Sequence, residues 1–189
     1  MKQNSKIHFD GPFKLHESKN CVFDKEICDQ HGIYLWVIKE KTGSNYISYI
    51  GETGRTFRKR LEEHILGMTS LDYRISDAEI RKEGEEKIIW DGHWRVKSMK
   101  KLINNYDRVS KYVINHIKTF DIYLSSFESD TRTRKRIEGE IGEIIKPNKE
   151  YNKFFAIDTT IGWQTPIINK KIKINSDEEL IGLPKEISI

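Results

Sequence analysis

The sequence predicts an α+β protein in which a small, mainly antiparallel sheet is flanked by helices. Two apolar segments, residues 33–38 and 46–50, are rich in β-branched and aromatic residues and enclose a glycine-containing turn. Such a pair indicates an antiparallel hairpin. Amphipathic segments at residues 57–66 and about 131–146 predict two helices. Residues 119–127 alternate in hydrophobicity as a third strand does.

Local signals set the ends of the two helices. Thr56 can cap the first helix, and Gly67 is a natural stop for it. Thr131 or Thr133 can start the second helix, which Pro147 ends because proline cannot continue a helix. The buried face of the second helix is predicted to consist of Ile137, Ile141, Ile144 and Ile145.

The element order divides the chain into one core with additions. The core is predicted to span residues 32–155 and to have the order β-β-α-β-α, with an insertion at about residues 68–118. Residues 1–31 are polar and mixed, and residues 156–189 show no clear periodicity. We therefore expect these two segments to be terminal extensions.

Composition limits the class of protein. The chain has 189 residues, of which 37% are hydrophobic and 33% charged, and its net charge is +4. This balance suits a globular domain and permits a polyanionic partner without requiring one. No signal peptide and no apolar run of about 20 residues is visible. We expect a cytoplasmic protein that has no contact with membranes.

Two tripeptides mark the predicted hairpin. Gly32-Ile33-Tyr34 begins its first strand, and Tyr49-Ile50-Gly51 lies at the end of its second strand. Arg60 and His64 follow on the next helix. Because these two residues are four positions apart, their side chains project from one helical face.

The later helix completes a recognisable order of motifs. Glu138 precedes an aliphatic face, then Pro147 and Asn152. With the paired tripeptides and the Arg-x-x-x-His, this order resembles the GIY-YIG nuclease superfamily over residues 32–152. The long gap between the two helices departs from the family pattern and implies the insertion. Asn152 lies further from Pro147 than is usual, so Asn148 is an alternative to it.

The resemblance implies a metal-dependent cleavage of phosphodiester bonds. Glu138 would be the ligand of Mg²⁺ (or Mn²⁺), because hard cations prefer oxygen ligands. Helix phase alone leaves Glu140 as an alternative. Arg60 carries a planar guanidinium that can hold phosphate oxygens in two places. Asn152 is the remaining candidate in the catalytic set.

A signature tyrosine is implied to be the general base. Tyr34 could accept a proton from the attacking water if nearby positive charge lowered the pKa of its phenol. His64 could accept or relay that proton, and Tyr49 could position the water or the phosphate. The sequence does not decide between Tyr34 and Tyr49 as the base.

Basic residues on both sides of these motifs are candidate contacts for the DNA backbone. An ordinary solvated surface is the alternative for each cluster. The insertion could carry sequence recognition through Arg81, Trp90, His93, Trp94 and Arg95. The backbone candidates are Arg55, Arg58 and Lys59 after the second tripeptide, and Arg132, Arg134 and Lys135 before Glu138.

The sequence thus predicts a metal-dependent endonuclease that cuts double-stranded DNA. A restriction-type enzyme is favoured, because the insertion lies inside the catalytic module and no separate DNA-binding domain is visible. One alternative is a structure-specific nuclease of DNA repair or of a mobile element, and another is a catalytically silent nucleic-acid-binding module. Cleaving both strands with one site per chain requires either a homodimer or sequential nicking.

Overall fold

A computed structural model of the protein describes residues 6–16, 19–156 and 170–189. Its strands are β1 (Lys6–Lys14), β2 (Gly32–Lys39), β3 (Asn45–Thr53), β4 (Ile75–Ser76), β5 (Ile88–Trp90), β6 (Phe120–Ser126), β7 (Lys171–Ser176) and β8 (Glu186–Ser188). Its α-helices are α1 (Phe57–Thr69), α2 (Ala78–Lys82), α3 (His93–Val96), α4 (Met99–Lys118) and α5 (Thr131–Ile145). Two short 3-10 helices, Val22–Asp24 and Glu26–Asp29, lie between β1 and β2.

The predicted α+β class is confirmed. Six strands form one curled sheet in the order β3-β2-β6-β1-β7-β8, and only the β1–β7 pair is parallel among the described strands. The predicted hairpin is β2–β3, in which Tyr34 pairs with Gly51 and Trp36 with Tyr49. The predicted third strand is β6, which pairs with the other side of β2. β3 is therefore an edge strand, and β2 is central.

Strand β2 is apolar from Ile33 to Ile38 because both faces of the sheet are covered. Tyr34, Trp36 and Ile38 belong to a core that also contains residues of α1 and α4. Ile33 and the alternate residues after it belong to a second core, which contains Ile137 and its neighbours on α5. The alternation of side chains along a strand sends successive residues to opposite faces, so α1 and α5 lie on opposite faces of the sheet.

Helix α1 begins where the sequence predicts and ends later. The side-chain oxygen of Thr56 accepts a hydrogen bond from the backbone N–H of Lys59, which confirms the predicted cap. Gly67 does not stop the helix, which continues to Thr69. A Cβ at Gly67 would lie 2.7 Å from the ring of Tyr73. The glycine therefore allows a close contact with that ring, and the predicted stop was wrong.

Helix α5 starts at Thr131, one of the two predicted starts, and Asp130 caps it. The carboxylate of Asp130 accepts a hydrogen bond from the backbone N–H of Thr133, and the helix starts at Thr131. Ile137, Ile141 and Ile145 are buried as predicted, whereas Ile144 is only partly buried and packs against the same core.

The two segments predicted to be terminal extensions contribute strands to the sheet. β1 lies between β6 and β7, and its Phe9 is fully buried. Its pairing with β6 shifts register between Asp10 and Phe13, which interrupts the alternation that would have marked a strand in the sequence. β7 and β8 continue the sheet beyond β1. Residues 157–169 of the predicted C-terminal extension lie outside the described residues.

The predicted insertion folds as a compact unit on the α1 side of the sheet. It contains the helices α2, α3 and α4, and β4–β5 form a small second sheet. Trp90 donates its indole N–H to the carbonyl of Leu71 at 2.7 Å, and the Ser76 backbone N–H donates to His116 at 3.2 Å. Among the described helices, none is both long and apolar enough to cross a membrane.

Gly32 is required by the packing of β2 against β6. Its φ is +151°, and a Cβ there would overlap the backbone carbonyl oxygen of Ser125. Gly43 is a matched control, because its φ is also positive (+94°) and no atom lies within 4 Å of the Cβ position. We predict that Gly32→Ala lowers the free energy of unfolding by about 2 kcal/mol more than Gly43→Ala does. Urea denaturation of both variants measures this difference, and equal losses would show that the contact with Ser125 is unimportant.

Candidate active site

Side chains from two strands and two helices converge at the edge strand β3. Tyr34 comes from β2, Tyr49 from β3, and Arg60 and His64 from α1. Glu138 reaches this edge from α5, on the other face of the sheet. Its negative charge raises the pKa of Tyr49, and the positive charge of Arg60 lowers the pKa of Glu138. The structure therefore brings together five of the six residues predicted to be catalytic.

The hydroxyl of Tyr34 is the central hydrogen-bonding group of this cluster. Its oxygen accepts a hydrogen bond from Nε of Arg60 at 3.0 Å and lies 2.9 Å from Nε2 of His64. A guanidinium can only donate. The hydroxyl proton of Tyr34 is therefore available to His64, whose Nε2 accepts it when the imidazole is neutral with its proton on Nδ1.

The two tripeptides depend on each other through Gly51. Gly51 pairs with Tyr34 across the β2–β3 hairpin. A Cβ at Gly51 would overlap the hydroxyl group of Tyr34. Only glycine leaves room at this position, so the last residue of the second tripeptide allows the last residue of the first to reach Arg60 and His64.

His64 is neutral in this environment. Its ring lies 5.7 Å from that of Tyr34, 5.3 Å from that of Tyr49 and 5.4 Å from that of Trp36. Burial, reinforced by the positive charge of Arg60, lowers the pKa of His64 to about 3. The imidazole therefore serves as a hydrogen-bond acceptor near neutral pH and carries no charge.

Neither tyrosine has the lowered pKa on which the general-base hypothesis depends. Burial raises the pKa of Tyr34 well above its usual value, although Arg60 opposes this. The pKa of Tyr49 is also raised, by burial and by the negative charge of Glu138. Both phenols are therefore protonated in the protein alone. Tyr34 is fully buried, whereas Tyr49 is partly exposed and lines a cavity.

Glu138 is a carboxyl group held in a surrounding that disfavours its charge. It is 9% exposed. Its pKa is raised to about 7, first by burial and then by the carboxylate of Glu52, while Lys135 and Arg60 act in the opposite direction. The backbone of Glu52 also acts to lower this pKa. The alternative acid, Glu140, instead forms an ion pair with Arg136 at 2.7 Å.

Glu52 and Arg134 belong to the site although the sequence did not indicate their roles. Nε of Arg134 donates to the Glu52 carboxylate at 3.1 Å, and its Nη2 donates to Thr131 Oγ1. Arg134 is 4% exposed. Its predicted contact with the DNA backbone is therefore wrong in this structure: it is a buried counterion for Glu52. A Cβ at Gly54 would lie 2.6 Å from Nη2 of Arg134, so the backbone at Gly54 passes close to this guanidinium.

The other basic residues predicted to contact DNA differ in their availability. Arg55 forms two hydrogen bonds with Glu63, at 2.6 and 2.8 Å, while remaining about half exposed. Arg58 likewise donates two hydrogen bonds to the carboxylate of Asp29, from Nε at 2.6 Å and from Nη2 at 3.1 Å. Lys59 and Arg132 are exposed, and Lys135 is half-buried. Glu63 also accepts from Nη1 of Arg60 at 3.3 Å, and its pKa is lowered, mainly by Arg55.

Asn152 has a visible structural role. Its side-chain amide donates to the carbonyl of Lys146 at 2.6 Å and so satisfies a carbonyl at the C-terminal end of α5. The side chain of Asn148, its alternative, accepts from the backbone N–H of Glu150. The turn they form leads the chain back along β3, where Ser48 bonds to the carbonyl of Phe154. A catalytic role for Asn152 stays a prediction.

A second group of residues could geometrically hold a cation, away from this cluster. Ligand atoms of His8, Asp10 and Asp177 all lie within 4.8 Å of one another, on β1 and just after β7. Asp177 already accepts hydrogen bonds from His8 and from the backbone N–H of Gly11, at 2.8 and 2.9 Å. These bonds account for the arrangement without an ion.

A cavity of about 390 Å³ adjoins the cluster and separates it from the insertion. Tyr49, Arg60 and His64 line it on the core side. Trp94 and Arg95 line it on the insertion side, and both are exposed, with the guanidinium 5.1 Å from the indole ring. The cavity therefore connects the catalytic candidates with the segment predicted to carry recognition.

The environment of Glu138 predicts a specific dependence of stability on pH. Its pKa is about 7 in the folded protein against an ordinary value of 4.5. The carboxyl group therefore lowers stability above pH 7 and has no such effect below pH 4.5. We predict that Glu138→Gln unfolds with a free energy about 1–3 kcal/mol higher than wild type at pH 8, and with an equal one at pH 4.

Glu140→Gln is the control, since it removes the ion pair with Arg136 and should not stabilise the protein at either pH. Denaturant titrations at the two pH values measure both variants. No difference between wild type and Glu138→Gln at pH 8 would contradict the environment described for Glu138.

Comparison of the chain with protein-family models, with curated proteins and with solved structures found no match. The functional interpretation therefore depends on the residues of this chain and on their geometry.

Proposed function

We propose that the protein is a metal-dependent endonuclease of the GIY-YIG type that hydrolyses phosphodiester bonds of double-stranded DNA. The observation that carries the proposal is the convergence of Tyr34, Tyr49, Arg60, His64 and Glu138 at the β3 edge. Residues selected from the order of motifs alone meet at one place from four different elements. A coincidental pattern of surface and core residues would not require this meeting.

The acidic residues fit a divalent cation. Glu138 is buried, and the nearby carboxylate of Glu52 makes its ionisation costly. A cation at this position would relieve that cost, because it attracts both carboxylates. Glu138 is the ligand we propose, for Mg²⁺ or Mn²⁺, with Glu52 beside it and oriented by Arg134. When bound, such a cation polarises a phosphate oxygen and stabilises negative charge on the phosphate.

The protein's own groups would position the phosphate and the attacking water. Arg60 has five N–H donors, of which the bonds to Tyr34 and Glu63 use only a part. Its partly exposed guanidinium can therefore also contact a phosphate oxygen. Tyr34 keeps Arg60 and His64 in register through its hydroxyl group.

Tyr49 is the better candidate for direct contact with water. It lines the cavity beside Arg60 and His64, whereas the hydroxyl of Tyr34 is enclosed and already bonded. To act as a base, Tyr49 must first lose its phenolic proton. The positive charge of Arg60 favours the resulting phenolate, because it lowers the pKa of Tyr49. In this proposal Tyr34 has a positioning role, and Tyr49 accepts the proton from water.

A restriction-type enzyme is the finer form of the proposal. The supporting feature is the insertion, which packs on α1 and lines the cavity next to the catalytic candidates. A structure-specific repair or mobile-element nuclease is the alternative within the same chemistry. A silent nucleic-acid-binding module is disfavoured because it would have no need for a buried carboxyl group that destabilises the fold. Double-strand cleavage would proceed in a homodimer or by sequential nicking.

The first test is cleavage of supercoiled plasmid in Mg²⁺, against an EDTA control. We expect nicked and linear products with wild type, and none with Glu138→Gln, because an amide cannot replace an anionic metal ligand. DNA binding by Glu138→Gln in EDTA should be nearly unchanged. Glu140→Gln is the matched control and should keep cleavage, since Glu140 is paired with Arg136. Full cleavage by Glu138→Gln would move the metal site elsewhere.

The second test separates the two tyrosines. Tyr49→Phe should reduce single-turnover cleavage by about 10²–10⁴-fold, the range for a lost general base. Tyr34→Phe should also reduce it, because Arg60 and His64 lose the hydroxyl group that positions them. Only Tyr34→Phe should also lose about 1–3 kcal/mol of unfolding free energy, because it leaves buried donors and acceptors of Arg60 and His64 unsatisfied.

Tyr46→Phe is the control for this pair. Tyr46 lies on the same strand as Tyr49 and packs against Phe154, with ring centroids 5.6 Å apart. It should leave cleavage unchanged. Full activity in both the Tyr34 and the Tyr49 variants would exclude the mechanism, even for a protein that cleaves DNA.

A further inference from the structure

The cavity beside the catalytic candidates contains a buried cation with unused donors. Arg81 lines it and is 4% exposed. Its Nη2 donates to Glu86 at 2.6 Å. Its Nε and Nη1 are buried and make no hydrogen bond within the described part of the chain, and the same holds for Nε1 of Trp36. Buried donors without acceptors are costly, so a ligand that brings acceptors would remove that cost.

Aromatic side chains form a large part of the cavity wall, and four arginines also line it: Arg60, Arg74, Arg81 and Arg95. Phe120 lies against Arg81, with the guanidinium carbon 5.6 Å from the ring centroid. The ring centroid of Trp36 lies 5.1 Å from that of Phe120 and 5.4 Å from that of His64. Tyr73 lines the cavity as well. A chain of ring contacts therefore runs from His64, in the catalytic cluster, to Arg81 at the other end.

These features define the chemistry of the ligand. Each edge of a guanidinium pairs Nη2 with either Nε or Nη1, so one unused donor of Arg81 and the second hydrogen of its Nη2 match a pair of adjacent acceptors. Guanine offers such a pair at O6 and N7, and a phosphate offers one through two oxygens. Aromatic walls stack on a planar base, a contact that a phosphate cannot make. The volume, about 390 Å³, lies in the range of pockets that enclose small planar ligands.

We propose that this cavity receives an unstacked guanine of the DNA, extruded beside the phosphate to be cut, with Arg81 donating to O6 and N7. This inference rests on the proposed function, because Tyr49 and Arg60 line the same cavity. Trp94, which is 55% exposed and carries Arg95 over its ring, lies at the insertion side of the cavity. It is placed to contact the distorted duplex around the extruded base.

The inference changes how the insertion would recognise sequence. Arg81 was predicted to be a recognition residue, and in the structure it is inaccessible to the groove of an undistorted duplex. Trp90, another predicted recognition residue, is buried and bonded to Leu71. If the base is extruded into the cavity, Arg81 can contact it and contribute to sequence recognition even though Arg81 is buried.

The test measures binding in EDTA, so that it is independent of cleavage. The probes are two short duplexes that each contain one abasic site, opposite guanine in the first and opposite adenine in the second. Both have the same defect and the same backbone, and their unpaired base is cheap to extrude. We expect wild type to bind the guanine duplex about tenfold more tightly, the discrimination typical of one bidentate contact.

Arg81→Met should abolish this preference while leaving the affinity for a fully paired duplex within about twofold of wild type. Trp36→Phe keeps the aromatic wall and removes the indole N–H. It should reduce the preference too, and it keeps the test valid if Arg81→Met does not fold. Arg108→Met, which removes an exposed arginine of α4 outside the cavity, should retain the preference.

Equal binding of the two duplexes by wild type would overturn the inference, whether or not the protein cleaves plasmid. Loss of preference in Arg108→Met would also overturn it, because the effect would then be one of general charge. Guanosine monophosphate is the second probe. Its binding to wild type without any preference between the duplexes would assign the cavity to a free nucleotide and exclude extrusion. A guanine preference in a protein that cannot cleave DNA would uphold the cavity and refute the proposed function.

Discussion

The hydroxyl group of Tyr34 is the constraint on which the arrangement of the site depends. It lies in a fully buried position, where an unsatisfied polar group is costly. Arg60 and His64 satisfy it, and they must come from one face of α1 to do so. That requirement fixes the rotation of α1 against the sheet, and Gly51 fixes the room available on β3. Three elements are therefore held in register by one phenol, and the solvent-facing side of the same cluster is left to Tyr49.

The second feature of the site is that its ionisable groups are kept in their less charged forms. Burial opposes the negative charge of Glu138 and the positive charge of His64, so each group lowers the stability of the fold over part of the pH range. His64 satisfies the hydroxyl group of Tyr34, but packing alone gives no reason to retain Glu138 there. Several groups with strongly shifted pKa values at one place are typical of functional sites. The position at an edge strand also explains how helices on opposite faces, α1 and α5, can both reach it.

The parts of the fold that the sequence predicted are those with local signals. The hairpin, α1, β6 and α5 each carry a continuous periodic pattern within a few residues of their observed ends. The alternation in β1 is broken at its register shift, and β7 and β8 alternate over only a few residues. Their pairing joins the two ends of the chain, which no local pattern indicates. Arg134 was misassigned for a related reason. It lies in a basic run on a helix, and only the packing of α5 against β3 shows that it faces Glu52 and not solvent.

The insertion could be located but its relation to the site could not be predicted, since that relation comes from α4. This helix packs on α1 and on the small β4–β5 sheet, so the insertion is tied to the helix that carries Arg60 and His64. Any group bound against the insertion is thereby held at a fixed distance from the catalytic candidates. Rigid coupling of this kind favours accuracy, because a misplacement of reacting atoms by about 1 Å can cost on the order of 10²-fold in rate. The location of the insertion, between α1 and β6, therefore has a physical advantage. It adds a wall to the cavity beside the site without interrupting the pairing of β2 with β3 and β6.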